Sequence, residues 1–365
     1  MNRPSRLKKY KVEILLAALL VITMLFGFFP MQVERFYSTG IYPIISHFAR
    51  FLFGWIPFSI GDVFYGLVLV IIIFLLLKFI NAWRRKKLNR QWWVNILMKT
   101  ARVSMIIYIV FQWVWGLNYH RMGTAYQLKI DPEPYTRPEL IQLADSLNAR
   151  LISLVPQLNS KDSAEWNQFA ITRQRCISDY VACHKRISFL NYKTPSVKKM
   201  LVGNVGGYGG FSGYLNPFTG EAQLNGNLPG FLKPSVTFHE IGHQLGYAAE
   251  EEANMIGYLV GRNSANPAFR YSVYHDLLTY ASRELYQVDS NAYKVLMKGV
   301  PALVKQHRKQ ARDYYSSFHN PIQVLVNQWY DLYLKANSQD KGVDSYSYVT
   351  AWLIAYAKKY GWQNI

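Results

Sequence analysis

Residues 237–261 read TFHEIGHQLGYAAEEEANMIGYLVG. The stretch opens on an HExxH, His239-Glu240-Ile241-Gly242-His243, and runs into three consecutive glutamates, Glu250, Glu251 and Glu252. Positions i and i+4 of a helix share a face, so His239 and His243 can hold one divalent ion between them. Glu240, one residue along, is then placed to act as general base on a water at that ion. Pro234 and Ser235 mark a helix start, and Val236, Phe238 and Ile241 give the helix an apolar side. Gly246 follows His243 by three and can end or bend the helix.

A second helical pattern begins at the glutamates. Glu250, Ala253, Asn254, Gly257 and Gly261 recur at spacings of three and four. They make a narrow face of small residues able to pack closely on the HExxH helix. Glu250 on that face would supply a third ligand, and Asn254, one turn on, would hydrogen-bond a ligand imidazole. Glu252 groups instead with Met255, Ile256 and Leu259 and stands as the alternate ligand. The plain alternative is a solvated first turn, where the helix dipole favours acidic residues. Three protein ligands and a water are the usual catalytic arrangement of zinc, so Zn2+ is the expected cofactor.

The rest of the chain sets the context of this motif. It has 365 residues, half of them hydrophobic and 16% aromatic, which excludes a disordered or low-complexity protein. The formal net charge is +19, but it is unevenly spread. Residues 1–118 carry 15 Lys/Arg against Glu13, Glu34 and Asp62, whereas residues 119–365 carry 26 against 19 Asp/Glu. The first third also holds three apolar runs, at about 12–30, 59–80 and 100–117. Each is near the ~20 residues that cross a bilayer, although the third is short and contains Arg102 and Gln112. No small-x-small site follows the first run, so it reads as an uncleaved anchor.

Arg3, Arg6, Lys8, Lys9 and Lys11 precede the first run, and Arg84 to Arg102 crowd the Trp83–Lys99 loop and its edge. By the positive-inside rule both regions are cytoplasmic and everything after about Asn118 is outside. The aromatic, proline-interrupted segment Ile41–Phe58 suits the membrane interface. The basic clusters flank apolar runs and no recognition motif accompanies them, so nucleic acid is excluded as a partner. The expected partners are the lipid bilayer and a peptide or protein substrate.

Residues 119–365 are long enough for a core of their own. A helix is signalled at Thr136–Leu154 by a capping box, Thr136 with Glu139, and by the stripe Leu140, Leu143, Ala144, Leu147 and Leu151. Residues 203–230 are rich in Gly, Asn and Pro and read as loops around one or two short strands, the best at Glu221–Asn225. As an edge strand, that segment would pair with an extended substrate. Later helices are expected at Pro321–Ala336 and Tyr346–Tyr360, separated by NSQDKG. Tyr271 and Tyr274, in RYSVYHDLLTY, are candidate oxyanion stabilisers. Six residues lie between Cys176 and Cys183, which leaves open a disulfide or two buried thiols.

Several further stretches carry a resemblance. They are Ile56-Pro-Phe-Ser-Ile-Gly-Asp62, Gly213-Tyr-Leu-Asn-Pro-Phe-Thr-Gly-Glu-Ala222, His239 to Gln244 and Glu250-Glu-Glu-Ala-Asn254. Arg270-Tyr-Ser-Val-Tyr274, Tyr333-Leu-Lys-Ala-Asn337 and Gly342-Val-Asp-Ser-Tyr346 continue the series. With them the chain resembles, over essentially its whole length, a bacterial family of membrane-anchored proteins classed as a domain of unknown function. Glu250-x-x-Ala253-Asn254 is also similar to the E-x-x-A-[D/N] segment of gluzincin-type zinc peptidases. That similarity implies Glu250 as third ligand and Asn254 as its support. Gly246 fits the HExxHxxG of metzincins, but their third ligand position is Ala249 here, which cannot bind metal.

The expected fold is therefore membrane-anchored α+β. Three N-terminal transmembrane helices (residues 1–118) precede a mainly α-helical zincin-like domain (119–365) with a small β element before the HExxH helix. The expected place is the bacterial inner membrane, multi-pass, with the C-terminal domain extracytoplasmic. The expected activity is zinc-dependent peptide hydrolysis. The alternative is a non-catalytic envelope protein that uses the same site as a structural metal or partner-binding module.

Overall fold

The apolar runs fold as helices in the computed structural model, which describes residues 10–337, 339 and 348–365. Helix α1 (Lys11–Gly27) breaks at Phe28–Phe29, and Pro30–Phe53 continues at a bend of 95°. This second limb is a single turn, then a π-helix at Val33–Ile41, then α2 (Tyr42–Phe53). Helix α3 (Ile60–Arg84) is capped by Ser59, whose Oγ accepts from the Asp62 amide at 2.8 Å. Helix α4 (Arg90–Val114) is capped by Asn89. The α3 and α4 helices are each long and apolar enough to cross a membrane, and the bent pair counts as a third if it is one span.

The last spanning candidate starts at Arg90 rather than near residue 100, so the expected loop Trp83–Lys99 shrinks to residues 85–89. Trp92 and Trp93 pack on Phe79 of α3, which carries helix through a stretch that composition alone reads as polar. Arg102 is accommodated by an ion pair with Glu13 of α1, against which α4 packs. Pairing between helices is how charge is tolerated where a helix crosses a membrane. Arg3, Arg6, Lys8 and Lys9 lie outside the described residues.

Helix α2 is two-faced. Tyr42, Ser46 and Arg50 point inward and are buried, while Ile44, Phe48 and Phe51 are exposed. The inward face meets the end of the HExxH helix: Tyr42 Oη, Ser46 Oγ and Arg50 all donate to the Gln244 carbonyl, at 3.0–3.2 Å. A helix C-terminus has carbonyls with no partner of its own, and α2 supplies donors.

Helix α5 (Arg137–Leu154) has the expected capping box, and its whole apolar stripe is buried. Helix α6 (Phe169–His184) carries both cysteines, free and buried. A rise over seven helix positions sets them ~10.5 Å apart along the axis. That exceeds the ~7 Å that a disulfide can bridge, so the thiols stay apart.

Three short strands follow, β1 (Val197–Lys199), β2 (Gly213–Leu215) and β3 (Ala222–Leu224), in the order β1-β3-β2. β3 runs parallel to β1, with Val197 opposite Ala222, and antiparallel to β2, with Leu215 opposite Ala222. The expected strand at Glu221–Asn225 is therefore central, and β2 is an edge. β1 gave no sequence signal because its middle residue, Lys198, is buried against Glu221. The Ile56–Asp62 segment is fastened to this sheet. The Gly61 amide donates to Glu221 Oε2 at 2.6 Å, and Tyr214 donates to Asp62.

The remaining principal helices are α7 (Lys233–Gln244), α8 (Glu250–Gly261), α9 (Pro267–Val288), α10 (Ala302–Ser317), α11 (Pro321–Ala336) and α12 (Val349–Tyr360). α9 packs along α5, and α7 packs against α8 to form the centre of the main core. The expected helix start at Tyr346, part of NSQDKG and the Gly342–Tyr346 segment lie outside the described residues. A second, smaller core joins the spans to this body: Val33, Tyr37, Tyr42, Trp115, Leu117 and Ala248.

Candidate metal centre

Close helix packing brings the ligand residues together. A methyl on Gly257 would lie 3.4 Å from the His239 amide nitrogen, and one on Gly242 would lie 3.4 Å from the Ala253 carbonyl. The small face expected on α8 thus meets α7 with little room to spare. The turn between them needs Gly246 at φ +87°, where a side chain would also strike Tyr42.

Glu250 Oε2 lies 3.1 Å from His239 Nε2 and 3.5 Å from His243 Nε2, and one donor atom from each residue falls within 4.8 Å of the others. The outer ring nitrogens are held. His239 Nδ1 is 2.8 Å from Asn254 Oδ1, and His243 Nδ1 is 2.7 Å from the Tyr247 carbonyl. Such contacts fix ring orientation and leave Nε2 to face a metal. Tyr330 Oη, from α11, donates to Glu250 Oε1 at 2.7 Å. Trp115, just beyond α4, meets the His243 ring edge-on at 6.1 Å.

Glu240 projects beside this cluster, over β2. A methyl on Gly213 would lie 2.5 Å from its Oε1, so a side chain there would invade the site. Its Oε2 is buried and has no hydrogen-bond partner among the described residues. Burial pushes the Glu240 carboxyl up to about 7, against the opposing pull of His239 and His243. Burial also acts to raise Glu250, but His243 and His239 outweigh it and hold that carboxyl below the usual range. Desolvation works against a charged His239, yet the Glu250 carboxylate lifts it to about 9.

Two imidazole nitrogens, one carboxylate oxygen and an unspent buried carboxylate beside them fit a divalent ion in chemistry and spacing. Asn254 stands where the sequence placed it. Glu252 does not join the cluster. It turns to the other side of α8, accepts from the Thr124 amide at 2.8 Å and fills the space that Gly123 leaves. Tyr271 and Tyr274 are also elsewhere. Tyr271 bonds His307 Nδ1 at 2.7 Å, and Tyr274 packs on Tyr258, both in the main core. Their spacing on α9 puts them on its buried side. On the same helix, burial pushes the Asp276 carboxyl up to about 6, against the opposing charge of His239. The sequence reading missed Tyr330, Trp115 and Gly213. None belongs to the HExxH pattern, and only chain folding brings them near it, from Gly213 upstream of Glu240 to Trp115 far before His243 and Tyr330 well after Glu250.

Fold and cluster together define a mainly helical chain with membrane-spanning candidates and a His/His/Glu centre. The family described as Protein of unknown function (DUF3810) matches residues 37–354, and the chain belongs to it. No curated protein and no solved structure matches the chain.

Proposed function

We propose that the chain is a membrane-anchored, zinc-dependent peptidase that hydrolyses peptide bonds outside the cytoplasm, in the manner of gluzincin-type enzymes. The observation that carries this reading is the convergence of His239, His243 and Glu250 donor atoms within 4.8 Å, with Glu240 Oε2 beside them lacking a hydrogen-bond partner among the described residues. A zinc ion held there would supply a Lewis acid that polarises a carbonyl and acidifies water.

The protein's own groups account for the rest. Glu240, with its carboxyl near neutrality, is suited to take a proton from water and return it to a leaving amine. Edge strand β2 lies directly over Glu240 and offers its backbone to an extended polypeptide. Tyr330 and Asn254 hold the ligand side chains in place.

The orientation follows from charge. Arg84, Arg85, Lys86, Lys87 and Arg90 surround the tight α3–α4 connection, which the positive-inside rule assigns to the cytoplasm. The opposite ends of both helices meet the site region, through Gly61 on Glu221 and Trp115 on His243. That assignment puts the site outside, at the inner membrane of a bacterial cell.

A non-catalytic protein with a structural metal is the second reading, favoured by the burial of the cluster. Structural zinc takes four protein ligands, however, and the cluster offers three among the described residues. The deciding experiment is Glu240→Gln in the zinc-loaded full chain, with an unstructured polypeptide as substrate. Undiminished hydrolysis would remove the mechanism.

A further inference from the structure

Helix α11 has two faces with different chemistry. Inward, Tyr330 reaches the ligand Glu250, its ring meets Phe211 edge-on at 5.7 Å, and Leu334 is fully buried. Outward, Leu325, Trp329 and Leu332 are 65%, 70% and 65% exposed. Their spacing of four and three makes one continuous apolar stripe. A water-facing helix would not present large apolar side chains in register, and such a stripe marks an interaction surface.

Its position says what covers it. Tyr333 of α11 packs edge-on against Phe111 near the end of α4 at 6.2 Å, and its hydroxyl is 3.4 Å from that of Tyr119. The stripe therefore continues from the end of a membrane-spanning candidate, where a bilayer surface lies. Trp is favoured at that depth, with one end apolar and the other wet. Helix α2, on the bent limb beyond α1, repeats the pattern with Ile44, Phe48 and Phe51 outward and its polar face on the Gln244 carbonyl.

We propose that α11 is a membrane-surface helix, lying on the bilayer with Leu325, Trp329 and Leu332 in the lipid. Because the same helix holds Glu250 through Tyr330, the metal centre sits directly against the membrane interface. Lipid contact and ligand geometry are then properties of one element. The proposal does not depend on peptidase activity.

The test places nitroxide labels at Leu325→Cys and Leu332→Cys in the full chain, in phosphatidylethanolamine/phosphatidylglycerol vesicles. Cys176 and Cys183 are buried, so brief labelling of the folded protein marks the new thiol. The expected result is a shift towards collision with oxygen over an aqueous nickel reagent, like that of a label at Leu75→Cys in α3. Accessibility matching that of Lys309→Cys, on exposed α10, would overturn the proposal. A second readout needs no label. Brominated lipid should quench the wild type more than Trp329→Phe, and equal quenching would overturn the proposal as well. Failure of the protein to cut peptides leaves either measurement unaffected.

Discussion

Two buried charge clusters sit on opposite sides of the first turn of α8. On one side, Arg121 makes a two-point ion pair with Glu34 at 2.8 and 2.9 Å. It also donates to the Gly246 carbonyl at 2.8 Å, and Gln127 links Glu34 to Tyr247. Glu252 joins this side through Thr124, and burial pushes its carboxyl up to about 7. On the other side, His239, His243 and Glu250 face one another, and Glu240 keeps an unpartnered oxygen. Both clusters are buried, acidic and basic, and both are built from one run of three glutamates. The difference is saturation. Protein groups satisfy the first cluster and thereby lock the turn that positions Tyr247 under His243. The second leaves donor atoms pointing at a common point, as a site for an added ion must.

The largest effect that sharpens this contrast is Glu240→Gln. Loss of a general base costs about 10²- to 10⁴-fold in rate. The expected outcome is that loss in kcat for peptide hydrolysis, with zinc content by elemental analysis and thermal stability both unchanged. On the saturated side, Arg121→Ala strands Glu34 in the interior. Breaking a buried pair costs about 3–5 kcal/mol, so thermal unfolding in detergent should fall sharply. If Arg121→Ala proves harmless to stability, the division between the two clusters is wrong.

Smaller changes probe the supports. Removing a group that orients a metal ligand costs roughly 10- to 100-fold in metal affinity. Asn254→Ala should weaken zinc binding by that amount in chelator competition, with the fold intact. The smallest effect lies far from both clusters. Thr136→Ala removes the cap of α5, worth ~1 kcal/mol, and should lower Tm slightly with zinc affinity unmoved.

The His/His/Glu cluster was largely legible in the sequence because it is local. HExxH on a helix and Glu250 four residues before Asn254 are relations within single helices, which fixed periodicity converts into geometry. Between Glu250 and Glu252 the sequence offered only a preference. The structure separates them because Gly123 leaves a pocket for Glu252, a fact about a chain segment that lies far away in sequence. Tyr271 and Tyr274 were misjudged for the same reason: adjacency along the chain says nothing of which side of α9 faces the site. The cysteines were left open by their spacing alone, and the helical state of the intervening residues resolves it.

Sequence alone determined the apolar runs, the capped helix at Thr136, the helix Pro321–Ala336 and the three members of the His/His/Glu cluster. Each follows from short-range chemistry: hydrophobic length, capping hydrogen bonds and helical repeat. Tertiary structure decided that β2 and not β3 is the edge strand beside Glu240, that Arg102 finds Glu13, and that α11 reaches back to Glu250. Those outcomes depend on burial and on which distant partner satisfies a buried polar group, and no local pattern encodes that choice.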